Sequence, residues 1–581
     1  MVSIDVRKFN KDTRSEIERI RHNGIDVGSN WPVVYIINNK NEAYVGETVN
    51  AARRMEQHWQ NTDRRCLTQV RIISDETFNK SSILDLESFL IKYMGADGKF
   101  VLQNGNNGIQ DHQYYQRNEY QELFNDIWKE LRKNGIVDNQ LADIENSELF
   151  KYSPYKVLGS EQINSEKEIL RALAEYGDSK IGANIVVRGG AGTGKTILAI
   201  YIIKLIADIN YRLRKDSTEA DELLNEYLDN FEDVIVSVEN IRNIDKIGIV
   251  VPQKSLQKTL KEVFKSVKGL NAGMVLSPYE VVKDFDETKK PFDLLIVDEA
   301  HRLKCRYQGH LSTYGPFIKS NTILGLDQIQ GTELDWIMMC SRNQILFRDE
   351  LQTVRPCDIP GQDFLRIIDS YGKHSITSAL STQWRCSGGN DYIEYLKNIF
   401  ACKQQEFCAI QNYDIKLYCD CDEMIRDIQQ KERELGLCRV AAGFAWPWKA
   451  KKEKKGQVIN DVKIQGHEYH WNRTDKNWIT SDNAINEIGC IHTVQGYDLN
   501  YAGIIIGEDL KYNSKTNEIY ADKSCYFDQQ GKSGVAFIPG ALLEYISNIY
   551  LTLLTRGIKG TYIYVCNDEL REYFKKFFPV K

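Results

Sequence analysis

Short apolar runs bounded by turn residues alternate along the chain with stretches of helical period. Trp31–Ile37 (WPVVYII) reads as a strand, 38–41 (NNKN) as a hairpin turn, and Ala43–Val45 as the returning strand. Further buried strands are predicted at Ile185–Val187, Ile247–Pro252 (IGIVVP), Phe292–Val297 (FDLLIV), Gly503–Gly507 and Gly560–Val565 (GTYIYV). Asn321–Gln330 (NTILGLDQIQ) is read as another strand running into polar residues. Asn50 caps an expected helix to about Trp59, which puts Arg54 and His58 on one face at i, i+4. Other helices are expected over Ile83–Met94, over Tyr120–Lys133 and from Ser160 toward Tyr176. Residues 3–24 carry alternating charges with Ile17 and Ile20 at helical spacing, which predicts a short amphipathic helix. Asp216–Asp233 is read as an acidic helical insert, and Ser153-Pro154 as a boundary.

Composition narrows the class. With 581 residues, 27% charged and 42% hydrophobic, the chain is expected to hold roughly three to five soluble domains. A net charge of -6 gives no global basic signature, so any nucleic-acid surface must be local. The first residues lack a signal-peptide core, and no apolar run approaches the roughly 18 residues of a membrane span. The 13 cysteines are scattered and fit reduced thiols in the cytoplasm. Cys419 and Cys421 in CDCD lack a partner pair at metal-finger spacing.

The sharpest chemistry is Gly189–Thr196 (GGAGTGKT), a glycine loop between a β-branched run and an apolar helix. Gly189, Gly192 and Gly194 let backbone N–H groups turn toward phosphate oxygens. Lys195 would reach the β- and γ-phosphates of ATP, and the Thr196 hydroxyl would hold Mg2+. A second signature follows in Phe292–Leu303, where an apolar strand ends in DEAH. Asp298 would hold the same magnesium, and Glu299 would polarise the attacking water. His301 would couple ATP state to the next motif or pack the loop.

The other motifs resemble those of superfamily 1 helicases. Gln162 in LGSEQ looks like the adenine-reading glutamine, with helix capping as the bland reading. Gln253-Lys254-Ser255 is similar to the motif that grips a nucleic-acid phosphate, and Asp327-Gln328 to the γ-phosphate sensor. Leu380–Cys386 (LSTQWRC) resembles the motif opening the second RecA-like domain, with Arg385 as one arginine finger, supported by Gln383 and Trp384. His492–Gly496 (HTVQG) looks like the motif that touches the strand, and Arg556 in YLTLLTRG like a second finger. The tryptophans of Phe444–Trp448 (FAWPW), Trp471 and Trp478, near Lys449, Lys451, Lys452, Lys454 and Lys455, either stack bases or form core beside a solvated loop. HTVQGYDLNYAGIIIG with WPW upstream most resembles the Schlafen group 3-type helicases. That resemblance implies two RecA-like domains with ATP between them.

Residues 30–110 resemble the GIY-YIG nucleases. Tyr35 stands at the first tyrosine and Tyr44-Val45-Gly46 at the second signature, while Val33 departs from the first glycine. Arg54 and His58 match the family's arginine and histidine, Glu87 its metal-binding glutamate, and Asn104 its late asparagine. The resemblance implies a divalent cation, Mg2+ or Mn2+, on Glu87. Tyr35, with Tyr44, would activate or orient water, and Arg54 would neutralise developing charge. Packed strand tyrosines and an exposed helical glutamate are the bland readings.

Together these imply an α/β protein: a nuclease-like domain at 1–111, a helical connector at 112–155, and RecA-like domains at 156–379 and 380–581. The expected activity is an ATP-dependent translocase fused to a metal-dependent DNA endonuclease, acting in phage defence or repair. The expected partner is nucleic acid, DNA ahead of RNA, with no membrane, and with a homo-oligomer or defence partner open. Two rivals stand beside it: an ATP-gated nucleic-acid-binding switch that does not cut, and an RNA-directed nuclease.

Overall fold

The computed structural model describes the chain apart from residues 1, 105–113, 178, 191, 214–240, 242–243, 306–310, 350–356, 384–385, 450–458, 474–477, 482, 495–496, 529–531 and 533–539. The acidic insert Asp216–Asp233, Trp384, Arg385, Gln495, Gly496 and the lysines from 451 to 455 therefore lie outside the described residues.

The N-terminal sheet has five strands: β1 (Ser3–Lys8), β2 (Val33–Asn38), β3 (Glu42–Thr48), β4 (Gln69–Ser74) and β5 (Val101–Leu102). Their order is β1-β4-β2-β3-β5, antiparallel except for the parallel β3–β5 pair. All of β2 is buried because both of its faces are covered. Val33, Tyr35 and Ile37 pack with Ala51 and Met55 of helix α1 (Ala51–Gln60). Val34 and Ile36 pack with Leu86 and Leu90 of helix α2 (Lys80–Asp97). Two-sided burial explains the unbroken apolar run, since alternate strand side chains point to opposite faces. Asn50 Oδ1 accepts from Arg53 N at 3.0 Å and starts α1. Asn79 and Ser82 form a capping box that starts α2, and Gly98 at φ +74° ends it. Helix α3 (Arg117–Lys133) adds Phe124, Ile127, Trp128 and Leu131 to the core under α2, so the expected connector completes that core.

The expected helix over residues 3–24 is corrected: Ser3–Lys8 is an edge strand paired with β4, and only Thr13–Ile17 is helical. SIDVRK has period two as well as alternating charge, and the Asn23-Gly24 turn stops any longer helix.

In the region of the chain that carries the glycine loop, β6 (Ala183–Gly189), β7 (Phe292–Val297), β8 (Ser341–Arg348) and β9 (His374–Leu380) run parallel in the order β7-β8-β6-β9. Helix α4 (Ser160–Tyr176) precedes β6, and helix α5 (Lys195–Leu213) follows it. The strand expected at Asn321–Gln330 is not one. Leu311–Ile323 is helical, and the neighbour of β6 and β7 is β8. Asn321 is fully buried as a hub, donating to Gln328 O and Gly331 O and accepting from Trp336 Nε1 at 2.6 Å. That role is invisible to a pattern of apolar residues.

The C-terminal sheet holds β10 (Asp414–Tyr418), β11 (Cys438–Ala442), β12 (Val462–Ile464), β13 (His467–Trp471), β14 (Glu487–Cys490), β15 (Leu499–Ile506) and β16 (Gly557–Val565). Its order is β10-β16-β15-β11-β14-β13-β12, parallel except for the β12–β13 hairpin. Phe444, Trp471 and Trp478 are buried in its core, and Trp478 Nε1 donates to Glu487 Oε2 at 2.8 Å. Those three rings are structural. Among the described residues, no helix is long and apolar enough to cross a membrane.

Candidate nuclease and nucleotide sites

On the α1 face of the N-terminal sheet, four of the expected residues meet. Tyr35 Oη lies 2.7 Å from His58 Nε2 and accepts from Arg54 Nε at 3.4 Å. The rings of Tyr35 and Tyr44 are 6.3 Å apart, and His58 is 5.1 Å from Tyr44. The i, i+4 spacing on α1 delivers Arg54 and His58 together, while the β2–β3 hairpin delivers the tyrosines. Arg64, which no motif marked, places its guanidinium 3.9 Å over the Tyr44 ring and donates through Nη1 to His58 Nδ1.

Burial, with Tyr44 adding to it, pushes the Tyr35 phenol well above its ordinary value despite Arg54 and Arg64. Burial, then Arg64, then Arg54 hold His58 well below its ordinary value, so the imidazole is neutral. Tyr35 thus rests as a phenol on a neutral histidine.

Gly46 explains the glycine of Tyr44-Val45-Gly46. Tyr35 sits opposite it across the strand pair, and a Cβ there would lie 2.2 Å from Tyr35 Oη. The absent side chain is the room the phenol occupies. Asn104 is buried and grips the same strand, accepting from Val45 N at 3.0 Å and donating to Val45 O at 2.8 Å. Glu87 is half-buried on α2, the helix covering the opposite face of the sheet.

The glycine loop leaves β6 and enters α5 with Gly192 at φ +79° and Gly194 at φ +80°. Glycine alone adopts these angles without strain. Lys195 is buried, donates to Gly189 O and Gly190 O at 2.7 Å each, and lies 3.7 Å from Asp349 Oδ2. Thr196 follows it in the first turn of α5, whose amide end favours anions. Asp298 is fully buried just beyond β7 and accepts from Glu299 N at 3.1 Å.

Glu299 takes a left-handed backbone, φ +55°, a strained conformation of the kind that concentrates at functional sites. Burial alone would raise its carboxyl. His301 and Arg302, with Lys195 beyond, more than offset that and hold it well below the usual range. His301 Nδ1 accepts from Asp349 N at 3.2 Å, which puts the ring proton on Nε2, 3.2 Å from Glu299 Oε2. The histidine therefore spans the ends of β7 and β8.

A cleft of about 920 Å³ opens beside the loop. Gly189, Gly190, Thr193 and Asp349 line one side, and Asn390, Asn548 and Thr555 line the other. Gln383 touches Gly192 so closely that a Cβ there would lie 1.8 Å from its Oε1.

The remaining expected residues lie as follows. Gln162 Oε1 accepts from Gly159 N at 2.9 Å and caps its own helix. Gln328 is exposed and donates to Thr322 Oγ1, while Asp327 accepts from the amides of Ile329 and Gln330. The strand-end acid beside Lys195 is instead Asp349, just beyond β8. Arg556 is buried and donates to Tyr497 O at 3.3 Å.

Two family models match the chain: Schlafen group 3, DNA/RNA helicase domain, over residues 182–567, and GIY-YIG catalytic domain, over residues 32–99. The chain belongs to the Schlafen group 3 DNA/RNA helicase family, as an ATPase/helicase carrying a GIY-YIG endonuclease domain ahead of the motor. The uncharacterized protein YPL245W of Saccharomyces cerevisiae is 24% identical over 450 residues, covering 71% of this chain and 91% of that one. Among solved structures, the Pif1 helicase from Candida albicans aligns at TM-score 0.28 and 11% identity, over 72% of this chain and 98% of that one. A Pif1 helicase from Bacteroides in complex with ADP-AlF3 and ssDNA aligns at 0.24 and 11%, over 70% and 92%.

Proposed function

We propose that the chain is an ATP-driven nucleic-acid motor whose N-terminal domain hydrolyses DNA phosphodiesters with a divalent metal. The observation that carries the nuclease half is the buried phenol of Tyr35 held between His58 and Arg54 beside Tyr44. Tyr35 orients the attacking water or the scissile phosphate, and Arg54 neutralises developing negative charge. Glu87 would hold Mg2+ or Mn2+, which supplies Lewis-acid stabilisation when bound. Among the described residues, no three His, Cys, Asp or Glu side chains form a closed cage. A magnesium ion that keeps most of its waters needs only one or two carboxylates and the substrate phosphate. Glu87 stands on α2, apart from the Tyr35 cluster on the α1 face, so a metal there would meet that cluster through the bound phosphate.

In the motor, Lys195 and the loop amides bind the phosphates of ATP, and Thr196 and Asp298 would hold Mg2+. Glu299 orients water, with Arg385 and Arg556 completing the charge balance from the second domain. Asp349, beside Lys195, takes the sensing role rather than Asp327 and Gln328. Phage defence or repair as the setting rests on the fused architecture alone, and action in the cytoplasm on the scattered cysteines.

The test is cleavage of linear and supercoiled DNA, with RNA in parallel, in magnesium or manganese and with or without ATP. Wild type should cut DNA, Glu87→Ala should not, and an ATP requirement would show that the motor licenses the cut. Cleavage confined to RNA would overturn the substrate. A wild type that cuts neither polymer would reduce the domain to a binding module.

A further inference from the structure

The N-terminal constellation holds one residue that no motif supplied. Arg64 lies beyond the end of α1, where Arg64 N donates to Asn61 O and Leu67 N donates to Arg64 O. These turn bonds present its side chain to the cluster. The guanidinium stacks 3.9 Å over the Tyr44 ring, and Nη1 donates to His58 Nδ1. Stacking of this kind fixes the guanidinium plane.

We infer that Arg64 is a positioning residue of the nuclease site, holding His58 in the Nε2–H tautomer so that Tyr35 receives two N–H donors and turns its own proton outward. This rests on the nuclease reading above. A guanidinium carries five N–H donors and no acceptor, so His58 Nδ1 must offer a lone pair to it. A neutral imidazole has one proton, which is then on Nε2. His58 is 1% exposed, so with Arg64 in place its ring is shielded from water.

Nε2 lies 2.7 Å from Tyr35 Oη and therefore donates to it, and Arg54 Nε donates to the same oxygen from 3.4 Å. With two donors on its oxygen, the Tyr35 hydroxyl proton points away from both. Tyr35 is fully buried, so a water or phosphate oxygen would reach that proton only once bound substrate uncovers it. If that proton leaves, two N–H groups remain on the phenolate. In the opposite tautomer, Tyr35 would donate inward to His58 and the outward proton would be lost. Residue 64 thus decides which way the phenol points. Burial and the two arginines keep the imidazole neutral, so a tautomer is defined at neutral pH.

The experiment uses the full chain with 15N-labelled histidine, with His58→Gln assigning the resonance, and compares wild type, Arg64→Lys, Arg64→Met and Arg64→Glu. Imidazole 15N shifts should show Nε2–H in wild type and in R64K, which keeps a donor. R64E, which presents an acceptor, should switch to Nδ1–H. In cleavage, R64M and R64E should lose kcat by about 10–100-fold with KM nearly unchanged, and R64K should recover much of it, as a tautomer defect predicts.

A wild-type His58 in the Nδ1–H form, or an R64E protein that cuts at the wild-type rate, overturns the inference. The tautomer is read without any turnover. A wild type that cuts nothing while showing Nε2–H would therefore remove the nuclease reading and leave the Arg64–His58 assignment standing. A wild type that cuts with Nδ1–H would do the reverse.

Discussion

The two sites are built in opposite ways. Tyr35, Tyr44, Arg54, His58 and Arg64 come from one hairpin, one helix and the turn after it, and their side chains bond to one another. The nucleotide site gathers Lys195, Glu299, Asp349 and Gln383 from the ends of parallel strands far apart in the chain. The first cluster closes on itself through side-chain hydrogen bonds. In the second, backbone carbonyls hold the lysine, and the acids meet it only because parallel pairing aligns β7, β8 and β6. A self-contained cluster keeps its geometry when the other site changes. A strand-end site depends on sheet register and on its second lobe.

The largest effect that separates the two is Lys195→Ala. ATP hydrolysis, followed by phosphate release, should fall about 1000-fold as the phosphate charge loses its buried partner. Cleavage measured without ATP should be unchanged, and its loss would show that the sites are not separate.

Gly192→Ala tests the two-lobed nature of the nucleotide site. A Cβ there strikes Gln383, and φ +79° is strained for alanine, so ATP turnover should drop about 10–100-fold with the nuclease untouched.

Gly46→Ala is the mirror experiment in the N-terminal domain. A Cβ placed 2.2 Å from Tyr35 Oη should destabilise that domain by about 1–3 kcal/mol in denaturant titrations and lower cleavage, while ATPase activity holds.

The smallest effect is a pH dependence. The unfolded imidazole titrates near about 6.5 and folded His58 lower, so the unfolded chain binds more protons as pH falls through that value. The stability from burying His58 neutral is complete above the unfolded pKa and shrinks below it. Between about pH 7.5 and about pH 5.5, wild type should lose about 1 kcal/mol more than His58→Gln. Equal losses would mean that His58 is not held neutral.

Much of this was legible locally. The glycine loop, the apolar strand into Asp298 and the Asn50-capped helix are contiguous. Their meaning lies in backbone angles, caps and i, i+4 spacing, which neighbouring residues dictate. The stretch at 321–330 misled because NTIL is apolar enough for a strand, whereas Asn321 is a buried hub inside helix and turn. The period-two pattern of SIDVRK was masked by its alternating charges. Arg64 carried no signal at all, because six residues past His58 lies outside any helical repeat and only the turn at 61–67 returns it to the cluster.

Local sequence thus determined which segments could bend, cap and bind phosphate, since those properties belong to a few adjacent residues. Which acid faces Lys195, why Gly46 must lack a side chain and which way His58 carries its proton were decided only by tertiary structure. Each depends on an atom brought in by strand register or a distant turn, and no spacing rule encodes that approach.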